Sequence, residues 1–204
     1  MIAKATKNVE VALGFKAHSG WAALVGIGAV NGHFEVIDRR RVELIDEGEL
    51  WAKQPYHAAE DLAHEEAHAV VMLGIESAHR VALSQMREVI TRIGMFGHKI
   101  AACAVLMPSP MPDWTTAEIL AVHFRMHKAE GVLFPDALCR AAESCKLPLV
   151  KVPEKQLAQY GETTFGVPLS RSMEAITALG RSVGPPWGKD QKNAALAAMI
   201  GLRK

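Results

Sequence analysis

His64, Glu65 and His68 stand in the order His-Glu-Glu-Ala-His. On a helix, two histidines four residues apart share a face and can hold Zn2+, and a glutamate beside the first can serve as general base. Gly74 occupies the place where an extended zinc motif would need a further histidine, so Glu76, His79 and Glu88 are the free candidates for a third ligand. The motif is short, and Glu60, Asp61 and Met72 make the surrounding face mostly polar. The expectation is a solvated helix face rather than a zinc centre. His123 and His127 repeat the spacing within TTAEILAVHFRMHKAEG; by themselves they read as packed or surface histidines.

Basic and aromatic residues offer a second kind of chemistry. Arg39-Arg40-Arg41 lies in a stretch with strand periodicity. Alternation puts Arg40 on one face and its neighbours on the other, so the run is not a continuous patch. It can contact phosphate, or it can guard an edge strand against pairing. Trp187 follows Pro185-Pro186 and either stacks on a base or plugs the edge of the core. Lys189 and Lys192, together with Lys151, Lys155, Arg171 and Arg181, can form one basic surface.

The chain that must position these groups has 204 residues, half of them apolar, and a net charge of +1. It is expected to be one domain spanning 1–204, with a single core and no strong bulk attraction to nucleic acid or anionic membrane. Residues 1–70 hold 7 Lys/Arg against 11 Asp/Glu, and residues 140–204 hold 10 against 5, so any basic face belongs to the C-terminal third. Cys103, Cys139 and Cys145 sit in apolar settings and read as reduced core residues. Neither a signal peptide nor a membrane-spanning run is visible. A soluble, cytoplasmic protein is the expectation.

Val9, Val11, Leu13 and Phe15 alternate as in a half-buried strand. Trp21 to Ala29 is an apolar second strand, and Asn31-Gly32 is a strong hairpin signal. Phe34 to Leu44 alternates as a third strand with one very polar face, which suits an edge. Helical periodicity then runs from about Pro55 to about Phe96, with Gly74 a weak point inside it. Ile100–Met107 is a fourth strand. A helix capped by Thr115 or Thr116 runs to about Glu130, and another opens at Phe134-Pro135-Asp136. Pro148–Val152 is a fifth strand, followed by two lesser helices, a stiff Gly184–Gly188 linker and a last helix from Lys189.

Val11–Val25, Asn31–Leu44 and Lys189–Leu202 together resemble the first hairpin, third strand and final helix of the ribonuclease-H-like superfamily, nearest its Holliday-junction resolvase branch. The resemblance implies an α/β fold: a five-stranded mixed sheet, three antiparallel strands and then alternating helix and strand, with helices on both faces. In active relatives, carboxylates on the first strand, the fourth strand and the last helix hold two Mg2+ ions that activate water against a phosphodiester. Here Lys16 stands in the first-strand position, Met107-Pro108 ends the fourth strand without an acid, and Asn193 follows Asp190 where a second helix acid belongs.

The implied cleft therefore comprises Lys16, His18, Ser19, Asp190 and Asn193, with a Lys16–Asp190 ion pair in place of metal. A slip of register would offer Asp38 or Glu35 as a substitute carboxylate. No cofactor is expected; Mg2+ or Mn2+ would require a rebuilt cleft, and Zn2+ would require the His64–His68 helix. The resemblance implies a catalytically degenerate domain that binds nucleic acid or a protein; Lys189, Lys192, Trp187 and Arg40, by their own chemistry, are the expected binding residues. The alternative is a metal-dependent nuclease or hydrolase with a rearranged site, or a zinc hydrolase acting through His64, Glu65 and His68. Self-association through the long helix is a further expectation, and no membrane partner is foreseen.

Overall fold

The computed structural model describes residues 8–203. Met1–Lys7, read above as part of a terminus without a signal peptide, lies outside the described residues. The strands are β1 (Glu10–His18), β2 (Trp21–Val30), β3 (His33–Glu43), β4 (Lys99–Met107) and β5 (Leu149–Pro153). The helices are α1 (Pro55–Ala58), α2 (His64–Met95), α3 (Thr116–Leu120), α4 (His123–Ser144), α5 (Leu157–Phe165), α6 (Leu169–Val183) and α7 (Lys189–Gly201). The sheet order is β3-β2-β1-β4-β5. β2 runs antiparallel to both β1 and β3, whereas β1, β4 and β5 run parallel. The β2–β3 hairpin turns on Asn31 and Gly32, with φ of 51° and 82°, the conformation that a two-residue hairpin with this twist needs.

Two apolar layers enclose the sheet. Val11, Leu13, Phe15, Leu24, Cys103 and Val105 face α2 and α4. Ala12, Val25, Ile27, Ala102, Ala104 and Val152 face α5, α6 and α7. β1 is thus buried on both faces, not half-buried as its alternation suggests. The reason is residue size. The second face of β1 carries Ala12 and Gly14, small rather than polar, because α7 lies directly on it. A Cβ on Gly14 would come within 1.9 Å of the Ala194 carbonyl oxygen.

Two helix boundaries depart from the sequence pattern. The helix expected from Pro55 is broken at 59–63, so α1 folds back along the start of α2. Tyr56 and Ala59 then share a small core with Ala67, Val71, Ile119 and Met126. Gly74 does not weaken α2. It admits Pro55, whose ring would meet a Cβ there at 2.4 Å. Conversely, the helix expected to open at Pro135 begins at His123 and runs through Pro135. Met126, Ala129, Leu133, Phe134, Leu138 and Ala141 form a continuous buried stripe on α4, and that packing outweighs the hydrogen bond proline removes. All three cysteines are free, and burial pushes the Cys139 thiol up to about 11. No described helix is long and apolar enough to cross a membrane.

Candidate functional site

The close seat of α7 on β1 places the first turn of that helix beside the carboxyl ends of β1, β4 and β5. Ligands of open α/β sheets commonly bind at that edge. A cleft of roughly 280 Å3 opens there, lined by Lys16, His18, Ser19, Leu106, Pro108, Glu130, Pro135 and Glu154. Lys16 and His18 are two residues apart on β1, so both point to the α7 face.

Lys16 and Asp190 do not pair with each other, contrary to the sequence reading. Lys16 Nζ donates to Glu154 Oε2 at 2.7 Å, and His18 Nε2 stands 3.0 Å from Asp190 Oδ2. The cause lies in β5. That strand ends at Pro153, and the turn 154–156 carries Glu154 toward the end of β1. Its acid sits at the end of the fifth strand, whereas the resemblance pointed to the fourth. An acid directly after a parallel strand was the available signal. The His18 ring stacks on Trp21, with centroids 4.4 Å apart and planes at 14°, and the Arg41 guanidinium covers Trp21 at 3.9 Å. Arg41, Trp21, His18 and Asp190 thus form one row from β3 to the start of α7, and His18 is its member that lines the cleft.

The remaining sequence candidates divide. Ser19 is exposed at the rim. Asn193 lies one turn beyond Asp190 on α7 and is half-buried. Lys189 and Lys192 flank Asp190 on the same turn. Trp187 turns inward: its indole N–H donates to the Ile176 carbonyl at 2.9 Å, and its ring covers Gly180, where a Cβ would meet it at 2.2 Å. It packs α6 to the start of α7, the core-edge place that was one of its two expected roles. Arg40 turns to carboxylates and away from the cleft. Its Nε donates to Asp38 Oδ2 at 3.0 Å, and its guanidinium reaches Glu88 at 3.7 Å on the α2 side of the sheet, because alternation sends it away from the α7 face. The same pairing takes Asp38, 8% exposed, out of contention as a cleft carboxylate. Arg39 instead donates to the Gly184 and Pro186 carbonyls and ties the linker to β3.

A last helix laid on β1, beside a sheet in which β2 alone runs against the other four strands, decides the fold. It is ribonuclease-H-like. Thermus thermophilus RuvC is similar, with a TM-score of 0.49 and 12% identity, covering 93% of this chain and 92% of that one. T. thermophilus RuvC in complex with a Holliday junction substrate is similar at 0.48 and 12%, covering 94% and 91%. A Ppx/GppA family member from Aquifex aeolicus gives 0.38 and 13%, covering 84% of this chain and 40% of that one. No family model matches the chain, and no protein of curated function does.

Within this ribonuclease-H-like frame Glu154 faces Lys16 and Asp190 faces His18, and no three metal-ligating side chains converge on the cleft among the described residues. His64, Glu65 and His68 are exposed on the first turns of α2; His68 Nδ1 lies 3.3 Å from Thr116 Oγ1, and no third ligand joins them among the described residues. His123 and His127 are different. His57 on α1 meets them, and one ring nitrogen from each lies within 4.8 Å of the others. His57 carried no signal in the sequence, because its place depends on the break between α1 and α2. Glu130, buried on α4, accepts from the His57 backbone N–H at 3.1 Å and from Gln54 at 3.3 Å, and meets His57 Nδ1 at 2.8 Å. Burial, and then the nearby Glu130 charge, push the Tyr56 hydroxyl above its usual range.

Proposed function

We propose that the cleft binds a phosphate-bearing chain, a nucleic acid, without cutting it by two-metal chemistry. The observation that carries this reading is the Lys16–Glu154 pair at the end of β1. Two-metal hydrolysis needs several carboxylates facing one volume with no cation among them. Here an ammonium takes the first position, one acid neutralises it, and Asp190 faces His18. A divalent ion placed beside Lys16 would be repelled by it.

The surroundings favour an anionic ligand. Lys155 follows Glu154 directly, and Lys189 and Lys192 stand within one turn of Asp190; among the described residues these three form no ion pair. Lysines free of carboxylates can neutralise phosphates and release counterions, which makes binding steeply salt-dependent.

Fluorescence anisotropy with labelled single-stranded, duplex and four-way-junction DNA, at 50 and 200 mM salt, tests the reading. The expected result is binding that weakens with salt, with the slope of log K against log salt reduced by about 1 for each of Lys155, Lys189 and Lys192 changed to Gln. The same DNA incubated with Mn2+ or Mg2+ should stay intact. Absence of binding to every probe at 50 mM salt overturns the reading in favour of a protein partner. Cleavage that Asp190→Ala abolishes overturns it in favour of a rearranged nuclease.

A further inference from the structure

We infer that His57, His123 and His127 form a binding site for one divalent transition-metal ion, Zn2+ foremost, at the rim of the cleft. Three imidazoles from two helices converge, and their nitrogens lie within 4.8 Å of one another. The Nε2 atoms of His123 and His127 are 3.0 Å apart. A tetrahedral ion with bonds of about 2.0–2.1 Å separates two ligand nitrogens by about 3.3–3.4 Å, so this pair is already near ligand spacing. The ring centroids are 4.6 Å apart for His57–His127 and for His123–His127, and 5.1 Å apart for His57–His123.

The surroundings prepare the rings as ligands. Glu130 Oε2 lies 2.8 Å from His57 Nδ1, which fixes the proton there and leaves the lone pair on Nε2. That Nε2 is buried and finds no hydrogen-bond partner among the described residues. Buried polar atoms are rarely left so, and an ion held jointly with the other two imidazoles would satisfy it. Glu60 Oε1 stands 3.7 Å from His123 Nδ1. A carboxylate behind a histidine is the usual outer support of a metal-bound imidazole.

The donor set selects the ion. Neutral nitrogen ligands without thiolates suit Zn2+ and its neighbours, whereas Mg2+ and Ca2+ prefer oxygen. Three protein ligands leave a fourth position for water or an incoming group. His123 and His127 are exposed, and His127 lines a depression with Pro108, Lys128, Glu154 and Lys155. Glu154 lines this depression and also the cleft that holds Lys16, so the histidine cluster borders the groove of the Lys16–Glu154 pair.

Chelator-stripped full-length protein titrated with Zn2+ by calorimetry, and with Co2+ by visible absorption, tests the site. Wild type should take up one ion per chain, with the intense d–d bands of four-coordinate Co2+. His127→Ala and His123→Ala alter exposed side chains, so the fold should persist by circular dichroism; each should weaken binding at least about 100-fold. Glu130→Gln should weaken it by about 10- to 100-fold. The double variant His64→Ala/His68→Ala should bind as wild type does. No saturable binding by wild type, or binding that His127→Ala leaves unchanged, overturns the inference, as does loss of the ion in the His64/His68 variant.

Discussion

Lys16 Nζ lies 2.7 Å from Glu154 Oε2, across 138 residues of chain. The pair closes the end of β1 onto the turn after β5 and sets the charge of the cleft. Its removal by Lys16→Met should cost no more than about 1 kcal/mol, since both side chains keep some solvent contact. Lys16→Asp should do more. It would place a third carboxylate beside Glu154 and Asp190 and create Mn2+ binding, read by calorimetry, roughly tenfold or more tighter than in wild type. Equal Mn2+ binding by both proteins would show that Lys16 does not control the site.

Gly14 admits α7 to the sheet. An added Cβ would meet the Ala194 carbonyl oxygen at 1.9 Å, and a backbone atom at the centre of a helix has no room to retreat. Gly14→Ala should therefore destabilise by about 1–3 kcal/mol or more, measured as a lower urea midpoint. An unchanged midpoint would mean that α7 does not sit so close.

Trp187 should matter for stability and not for binding. Trp187→Phe removes the hydrogen bond to Ile176 and should cost about 1 kcal/mol, while DNA affinity at 50 mM salt stays that of wild type. A loss of affinity without a loss of stability would restore its role as a stacking residue.

His79 supplies a pH dependence. Burial holds its imidazole below the ordinary 6.5, with Arg140 acting the same way and Asp136 opposing. The unfolded chain then binds the more protons as pH falls through 6.5. Stability fully present above that value declines as pH falls toward the folded pKa. His79→Gln should flatten this part of the curve of urea midpoint against pH between 7.5 and 5. An identical slope in both proteins would assign the acid sensitivity to other groups.

Local rules written into single segments were legible in the sequence. Asn31-Gly32 forms the hairpin, the arginine run splits by strand alternation, the apolar Ile100–Met107 stretch is a buried parallel strand, and β3 lies at the sheet edge. Each depends on periodicity or on backbone freedom within a few residues. The mixed five-stranded sheet with three antiparallel strands first was legible as well, because connection rules leave few sheets open to such a sequence of elements.

Partnership was decided only by the tertiary structure. Lys16 takes Glu154 rather than Asp190, Trp187 turns into the α6–α7 seam, Arg40 turns to Asp38, and His57 joins His123 and His127. The physical reason is common to all four. Side-chain partners are chosen by which helix breaks and which close approaches the core allows, and those depend on packing between residues far apart in sequence. The break at 59–63 and the run of α4 through Pro135 both follow buried stripes that outweigh local helix signals. From the sequence alone the histidines were single side chains with ordinary roles; the fold of α1 against α4 makes them a cluster.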